Sequence, residues 1–301
     1  MAASRMHADK FSSKLKLFVE RQKPGLVQFF PDYNFDEYSQ RGADMVETLV
    51  DRACPREIAE QFAVLALYDL VILLDDSSSM EYEDGGNRKD MLKKVLEAIA
   101  DVYELAREEG IVSVRFLNNP TGRKDIKKAD VAGLHAEIQY DGVTMTGTEL
   151  QNKILKPFVL EPQTPMRKPL LTMIITDGDI EGEKQGVLKR NINNCLAKLD
   201  NDSERTVDSV AFMFARIGDD PAAKTLIEAL DDDDKLGAWI DCLPVDSHLD
   251  DIDISTNGRS HWDVLRKLML GGLYEDVDED DDIYDESLPF EPHGKGPCVD
   301  V

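Results

Sequence analysis

The sequence has no long hydrophobic run. Its most apolar stretch, Phe62 to Leu74, is broken by Asp69 and falls well short of the ~20 residues that a membrane-spanning helix needs. Positive charge is also scarce: 35 Lys and Arg face 60 Asp and Glu, a formal net charge of −25. General nucleic-acid binding needs clustered Lys and Arg against phosphate, and no such cluster stands out along the chain. The same deficit argues against docking on anionic lipid. Only four cysteines occur, Cys54, Cys195, Cys242 and Cys298. They are too far apart for a metal-ligand spacing and read as reduced thiols. Met1 to Lys23 mixes charges and lacks the apolar core of a secretion signal. The final Cys298-Val299-Asp300-Val301 fits the bare prenylation frame. Asp300 in the aliphatic slot and the acidic residues upstream argue against that modification. These absences lead us to expect a soluble, intracellular, cytoplasmic protein with neither nucleic-acid nor membrane partners.

Hydrophobic residues make up 42% of the chain, enough for a substantial core. From Glu37 to Ala53, the residues Ala43, Met45, Val46, Leu49 and Val50 fall on one helical face. Pro55 can open a second helix carrying Ile58, Phe62 and Leu65. Residues 1–66 are therefore expected to form a helical extension. Strands and helices then alternate. Strands are expected at Leu70–Leu74, Ile111–Leu117, His135–Tyr140, Leu170–Ile175, Ser209–Ile217 and Trp239–Val245. Helices are expected at Arg88–Glu109, Thr148–Leu160, Glu183–Leu199, Ala222–Leu230 and His261–Leu270. This alternation predicts an α/β fold with a mostly parallel sheet covered on both faces. After Gly272 the chain is strongly acidic and then rich in Pro and Gly, so 273–301 reads as a disordered tail.

Ligands of open α/β sheets bind beyond the carboxyl ends of the strands. The first strand is followed by Asp75-Asp76-Ser77-Ser78-Ser79, and the strand ending at Ile175 by Thr176-Asp177-Gly178. Between them, opening a helix, lies Gly147-Thr148-Glu149. Alternation in an extended turn would point Asp75, Ser77 and Ser79 the same way. Asp75, Ser77, Ser79, Thr148 and Asp177 together offer carboxylates and hydroxyls with no His or Cys. That oxygen set suits Mg²⁺, Mn²⁺ or Ca²⁺ and not zinc or copper. Each piece alone is also an ordinary turn or helix cap. Their order at the correct strand and helix ends favours the metal reading.

The spacing Asp75-x-Ser77-x-Ser79, with the distant Thr148 and Thr176-Asp177-Gly178, resembles the metal-ion-dependent adhesion site of von Willebrand factor A domains. The resemblance covers Tyr68 to Leu270, within residues 67–272. It is nearest the intracellular A-domain proteins of fungi, through Ala66-Leu67-Tyr68-Asp69, Arg115-Phe116-Leu117-Asn118-Asn119 and Leu268-Met269-Leu270-Gly271-Gly272. It implies a Rossmann-like, doubly wound sheet of about six strands with one short antiparallel edge. It also implies a binding role without catalysis. By resemblance, Ser77 and Ser79 bind the metal directly, Asp75 and Asp177 act mainly through water, and Thr148 switches between the two. The partner then offers a Glu or Asp carboxylate. Asp76, Glu81, Glu83, Asp84, Glu181 and Glu183 make the surroundings acidic, so that carboxylate is expected among basic residues.

Two other functions compete. A Mg²⁺-dependent phosphohydrolase of haloacid-dehalogenase type would use an Asp nucleophile at the end of a strand, with further Asp residues sharing the metal. Its general acid normally stands two residues after the nucleophile, where this chain has Ser77. A scaffold carrying a vestigial metal site is the other alternative.

Overall fold

A computed structural model describes residues 2–178, 180–218, 220–233, 235–245 and 259–278. Six strands form one sheet: β1 (Asp69–Leu74), β2 (Ile111–Phe116), β3 (Arg123–Ile126), β4 (Leu170–Thr176), β5 (Val210–Arg216) and β6 (Ile240–Pro244). Their order is β3-β2-β1-β4-β5-β6. Every neighbouring pair is parallel except β2 with β3. The fold is thus α/β and doubly wound, with a mostly parallel six-stranded sheet and helices on both faces.

Side chains alternate across a strand, and each central strand is apolar on both sides. Leu70, Ile72 and Leu74 of β1 join Leu171, Met173 and Ile175 of β4 on one face. Val71 and Leu73 join Leu170 and Ile174 on the other. The first face is covered by helices Asn87–Ala106 and Arg259–Leu270. The N-terminal helices belong to the same buried cluster, through Phe11, Phe35, Met45 and Phe62. The opposite face is covered by residues of Leu150–Leu160, Val187–Asp200 and Pro221–Asp231. Tyr103 joins cover to sheet: its hydroxyl donates to Tyr68 O at 2.8 Å and accepts from Leu70 N at 2.9 Å.

The expected strand at His135–Tyr140 is absent. His135 lies in the last turn of helix Lys128–Glu137. That helix is set by the Asp130 carboxylate, which accepts from Lys127 N at 3.0 Å, and by Val131 and Leu134, buried one turn apart. The antiparallel edge is instead β3, whose Arg-Lys-Asp-Ile sequence carries no apolar alternation. Two helices also begin elsewhere than the periodicity suggests. One starts at Thr146, and another at Val187 after Gly186 with φ 81°. The folded body extends past Gly272: Leu273 and Val277 are buried, and the Tyr274 ring lies 5.0 Å from that of Phe18. The remaining tail, 279–301, lies outside the described residues.

Lys267 and Asp241 form an ion pair at 2.8 Å inside the protein, with side chains 2% and 0% exposed. A Cβ on Gly271 would overlap Asp241 Oδ2, so the backbone closes directly over this carboxylate. Breaking a buried pair leaves an uncompensated charge, which typically costs about 3–5 kcal/mol. Lys267→Ala should lose stability on that scale in chemical denaturation. The double variant Lys267→Met with Asp241→Leu should recover much of the loss.

Candidate functional site

The strand order reverses at β1, which has β2 on one side and β4 on the other. The crevice at such a point lies beyond the carboxyl ends of the strands. Asp75 N donates to Ile175 O at 2.9 Å, extending the β1–β4 ladder one residue past Leu74. This fixes Asp75 beside the Thr176-Asp177 corner. Asp75 Oδ1 accepts from Ser77 N at 2.9 Å, and Oδ2 accepts from the Thr176 hydroxyl at 2.6 Å. Ser77 Oγ and Ser79 Oγ are 3.0 Å apart, and Ser79 Oγ donates to Asp177 Oδ2 at 2.5 Å. Gly178 follows with φ 80°, and a Cβ there would meet Ala223 Cβ at 2.8 Å. Glycine alone turns the chain away from Asp177 in that space.

The structure therefore brings Asp75, Ser77, Ser79 and Asp177 together. Among the described residues, Thr148 hydrogen-bonds to none of these four. The Thr148 hydroxyl donates to Glu183 Oε2 at 2.6 Å, and Thr148 N donates to the same oxygen at 2.8 Å. Gly147 N donates to Glu183 Oε1 at 2.9 Å. Glu183 is thus the carboxylate cap of the helix that begins at Thr146, and Thr148 serves that cap. The helix-cap pattern alone does not distinguish Thr144, Thr146 and Thr148, which repeat at every second position. Thr144 lies on the wall of the crevice. It is buried and lines a cavity of about 190 Å³ together with Ser77, Ser79, Tyr82, Glu83 and Glu181.

Asp76, adjacent to the motif, points elsewhere. Its carboxylate accepts from Asn118 N at 2.7 Å, Asn118 Nδ2 at 3.2 Å and Asn119 N at 2.8 Å. It secures the loop after β2. The electrostatics of the buried pair are tighter. Burial, and secondarily the nearby Asp177, push Asp75 up to about 7, against the lowering hydrogen bonds from Ser77 and Thr176. Asp177 faces a cation: Arg88 Nη1 lies 3.0 Å from Asp177 Oδ2, with side chains 5% and 1% exposed. Arg88 also pairs with Glu83 at 2.8 Å. Among the described residues no three His, Cys, Asp or Glu side chains converge as a metal cage. A cation at this crevice would therefore depend on hydroxyl oxygens as well as on the two carboxylates. Those donors fit a hard divalent ion.

No protein-family model matches this chain, and no curated protein matches it.

Two outcomes follow from this geometry. Asp76→Ala should cost about 1–3 kcal/mol by orphaning the loop amides, and calorimetry should find its Mg²⁺ binding unchanged, whereas Asp177→Ala should lose Mg²⁺ binding. The second concerns pH. Asp75 holds its proton more tightly in the folded than in the unfolded chain. Its stabilising contribution is complete below pH ~3.8 and is lost as pH rises towards 7. In chelator, denaturation midpoints measured from pH 4 to 7 should fall less steeply for Asp75→Asn than for the parent chain.

Proposed function

We propose that this chain is a divalent-metal-dependent protein-binding module of the von Willebrand factor A type. The observation that carries this reading is the hydroxyl cluster at the switch point: Ser77 and Ser79 within 3.0 Å of each other, and Thr144 on the same cavity wall. Ser77 and Ser79 would hold the ion, preferably Mg²⁺, with Asp75 and Asp177 behind them and a threonine, Thr148 or the cavity-lining Thr144, completing the oxygen set. When bound, the ion supplies an electrophilic position that accepts a Glu or Asp carboxylate from a partner protein. The chain's own residues set the approach. Glu83 and Glu181 on the cavity wall repel a uniformly acidic surface, so the partner's carboxylate would be flanked by basic residues. Arg88 offsets part of the charge on Asp177 and holds its carboxylate in place.

Binding is better supported than phosphohydrolase chemistry. A nucleophilic Asp must reach its substrate, yet Asp75 is fully buried with both oxygens engaged. A cytoplasmic setting agrees with three free cysteines, Cys54, Cys195 and Cys242. Burial pushes the thiols of Cys54 and Cys195 up to about 12, which keeps them unreactive. Among the described residues no helix is long and apolar enough to cross a membrane.

The test is a paired affinity measurement. Capture of a partner from cell extract should occur in Mg²⁺, fail in chelator, and fail with Asp177→Ala. Thr144→Ala should weaken Mg²⁺ binding in calorimetry. Thr148→Ala, measured beside it, should lose Mg²⁺ affinity modestly if Thr148 is a ligand and only about 1 kcal/mol of stability if it serves the cap alone. Equal Mg²⁺ affinity in the parent and Thr144→Ala chains would remove Thr144 from the site.

A further inference from the structure

A second cavity lies at the opposite end of β1. Asp69 and Leu170, the first residues of β1 and β4, line it, whereas Asp75 follows the last residue of β1. Its volume is about 520 Å³, within the range of small-molecule sites. In a chain of net charge −25 its charged lining is unexpectedly basic: Arg115, Lys124, Arg167 and Lys168 against Asp69 and Glu161.

These charges do not cancel locally. Lys168 donates to Ala66 O at 2.8 Å, lies over the Tyr38 ring, and is coupled electrostatically to Asp69. That leaves Arg115, Lys124 and Arg167 facing Glu161. None of the three makes an ion pair or a side-chain hydrogen bond with the described residues. Arg115 is also held rigid. Its guanidinium sits 5.6 Å from the Phe158 ring centroid. Gly122 also packs close against it: a Cβ there would meet Arg115 Cδ at 2.6 Å. Arg115 Nε is nevertheless buried without a hydrogen-bond partner. The guanidinium thus keeps donor capacity that no acceptor among the described residues uses.

We propose that this cavity binds a small organic phosphate. The phosphoryl group would lie against Arg115, Lys124 and Arg167, and the apolar body against Pro157, Phe158 and Met166. Guanidinium is planar and its donor fork matches phosphate oxygens. The ring stack and Gly122 pre-set that fork, so little side-chain freedom is lost on binding. Long-range repulsion from the acidic chain is screened beyond ~8 Å at physiological ionic strength, and the local cations decide the affinity. The apolar wall separates an organic phosphate from the bare ion.

The experiment titrates the full chain with AMP, inorganic phosphate and adenosine, all in chelator so that no metal bridges phosphate to the Ser77–Asp177 crevice. AMP should bind, phosphate should bind at least tenfold more weakly, and adenosine should not bind. Arg115→Gln should weaken AMP by tenfold or more. If that variant is poorly folded, Lys124→Gln and Arg167→Gln, both at exposed positions, serve instead and should each weaken AMP several-fold. Lys128→Gln, at a surface position away from both cavities, should leave AMP binding intact. Absence of AMP binding at millimolar concentration would overturn the proposal. So would equal affinity in the folded Arg115, Lys124 and Arg167 variants. Tighter binding of a phosphotyrosine peptide than of AMP would overturn the assignment to a small molecule.

Discussion

Two carboxylates, Asp75 and Asp177, are buried side by side where the sheet reverses its winding, and the surrounding structure is arranged to tolerate them. Like charges in a low-dielectric interior repel strongly, and each also loses its hydration. The chain answers with donors. Asp75 receives Ser77 N and the Thr176 hydroxyl. Asp177 receives the Ser79 hydroxyl and the Arg88 guanidinium. Even Gly218 belongs to this arrangement: a Cβ there would sit 3.0 Å from Arg88 Cζ, and its φ is 87°. The strand ends, the serine turn, helix Asn87–Ala106 and the loop after β5 are all placed by the need to pack around one pair of negative charges. A fixed Arg with a partly protonated Asp75 makes the pair stable without a metal. A divalent ion bound here would have to displace part of this hydrogen bonding.

Neighbouring residues of one type meet opposite fates here. Asp75 and Asp76 follow each other at the end of β1, and alternation sends their side chains apart. One faces β4 and the crevice. The other faces β2 and takes the amides of Asn118 and Asn119. That loop is also held by Lys153, whose ammonium donates to Phe116 O at 2.6 Å and Leu117 O at 2.7 Å. An acidic cluster in the sequence is thus partly a set of backbone caps, and counting carboxylates would overstate the charge available to a cation.

The central strands were legible because they are buried on both faces and read as unbroken apolar runs, β1 and β4 above all. β3 was not legible. An antiparallel edge strand needs no apolar side chains, and Arg123-Lys124-Asp125-Ile126 gives no pattern to find. The Ile138 and Tyr140 alternation imitated a strand, but Asp130 capped a helix just before it. At the crevice, the serine turn and Asp177 were legible from spacing because the ends of parallel strands fix where their following residues lie. The start of the helix at Thr146 was not, since periodicity placed it at Thr148. Glu183, thirty-five residues from Thr148, decides that by capping the helix at Thr146. A long-range carboxylate contact leaves no local periodicity.

The helix following that cap links the two ends of the sheet. It begins beside Thr144 at the acidic crevice, and Pro157 and Phe158 line the basic cavity. Over Leu150–Leu160 it widens to an i→i+5 pitch, with Glu161 N donating to Lys156 O at 2.8 Å. Pro157 has no N–H to give and crowds the preceding turn, so the wider pitch relieves a clash that a regular helix would keep. Such turns often occur at functional sites. Here the widening positions Phe158 beneath Arg115. Lys153, midway along, anchors the helix to the carboxyl end of β2, so its two ends cannot shift independently without breaking those carbonyl contacts. The separation of charge along the chain follows from the same frame. The crevice gathers carboxylates and hydroxyls, and the far end gathers guanidinium and ammonium groups. Arg115 spans part of that distance, because its backbone is in register with Leu73 near the carboxyl end of β1 while its side chain lines the cavity that Asp69 opens.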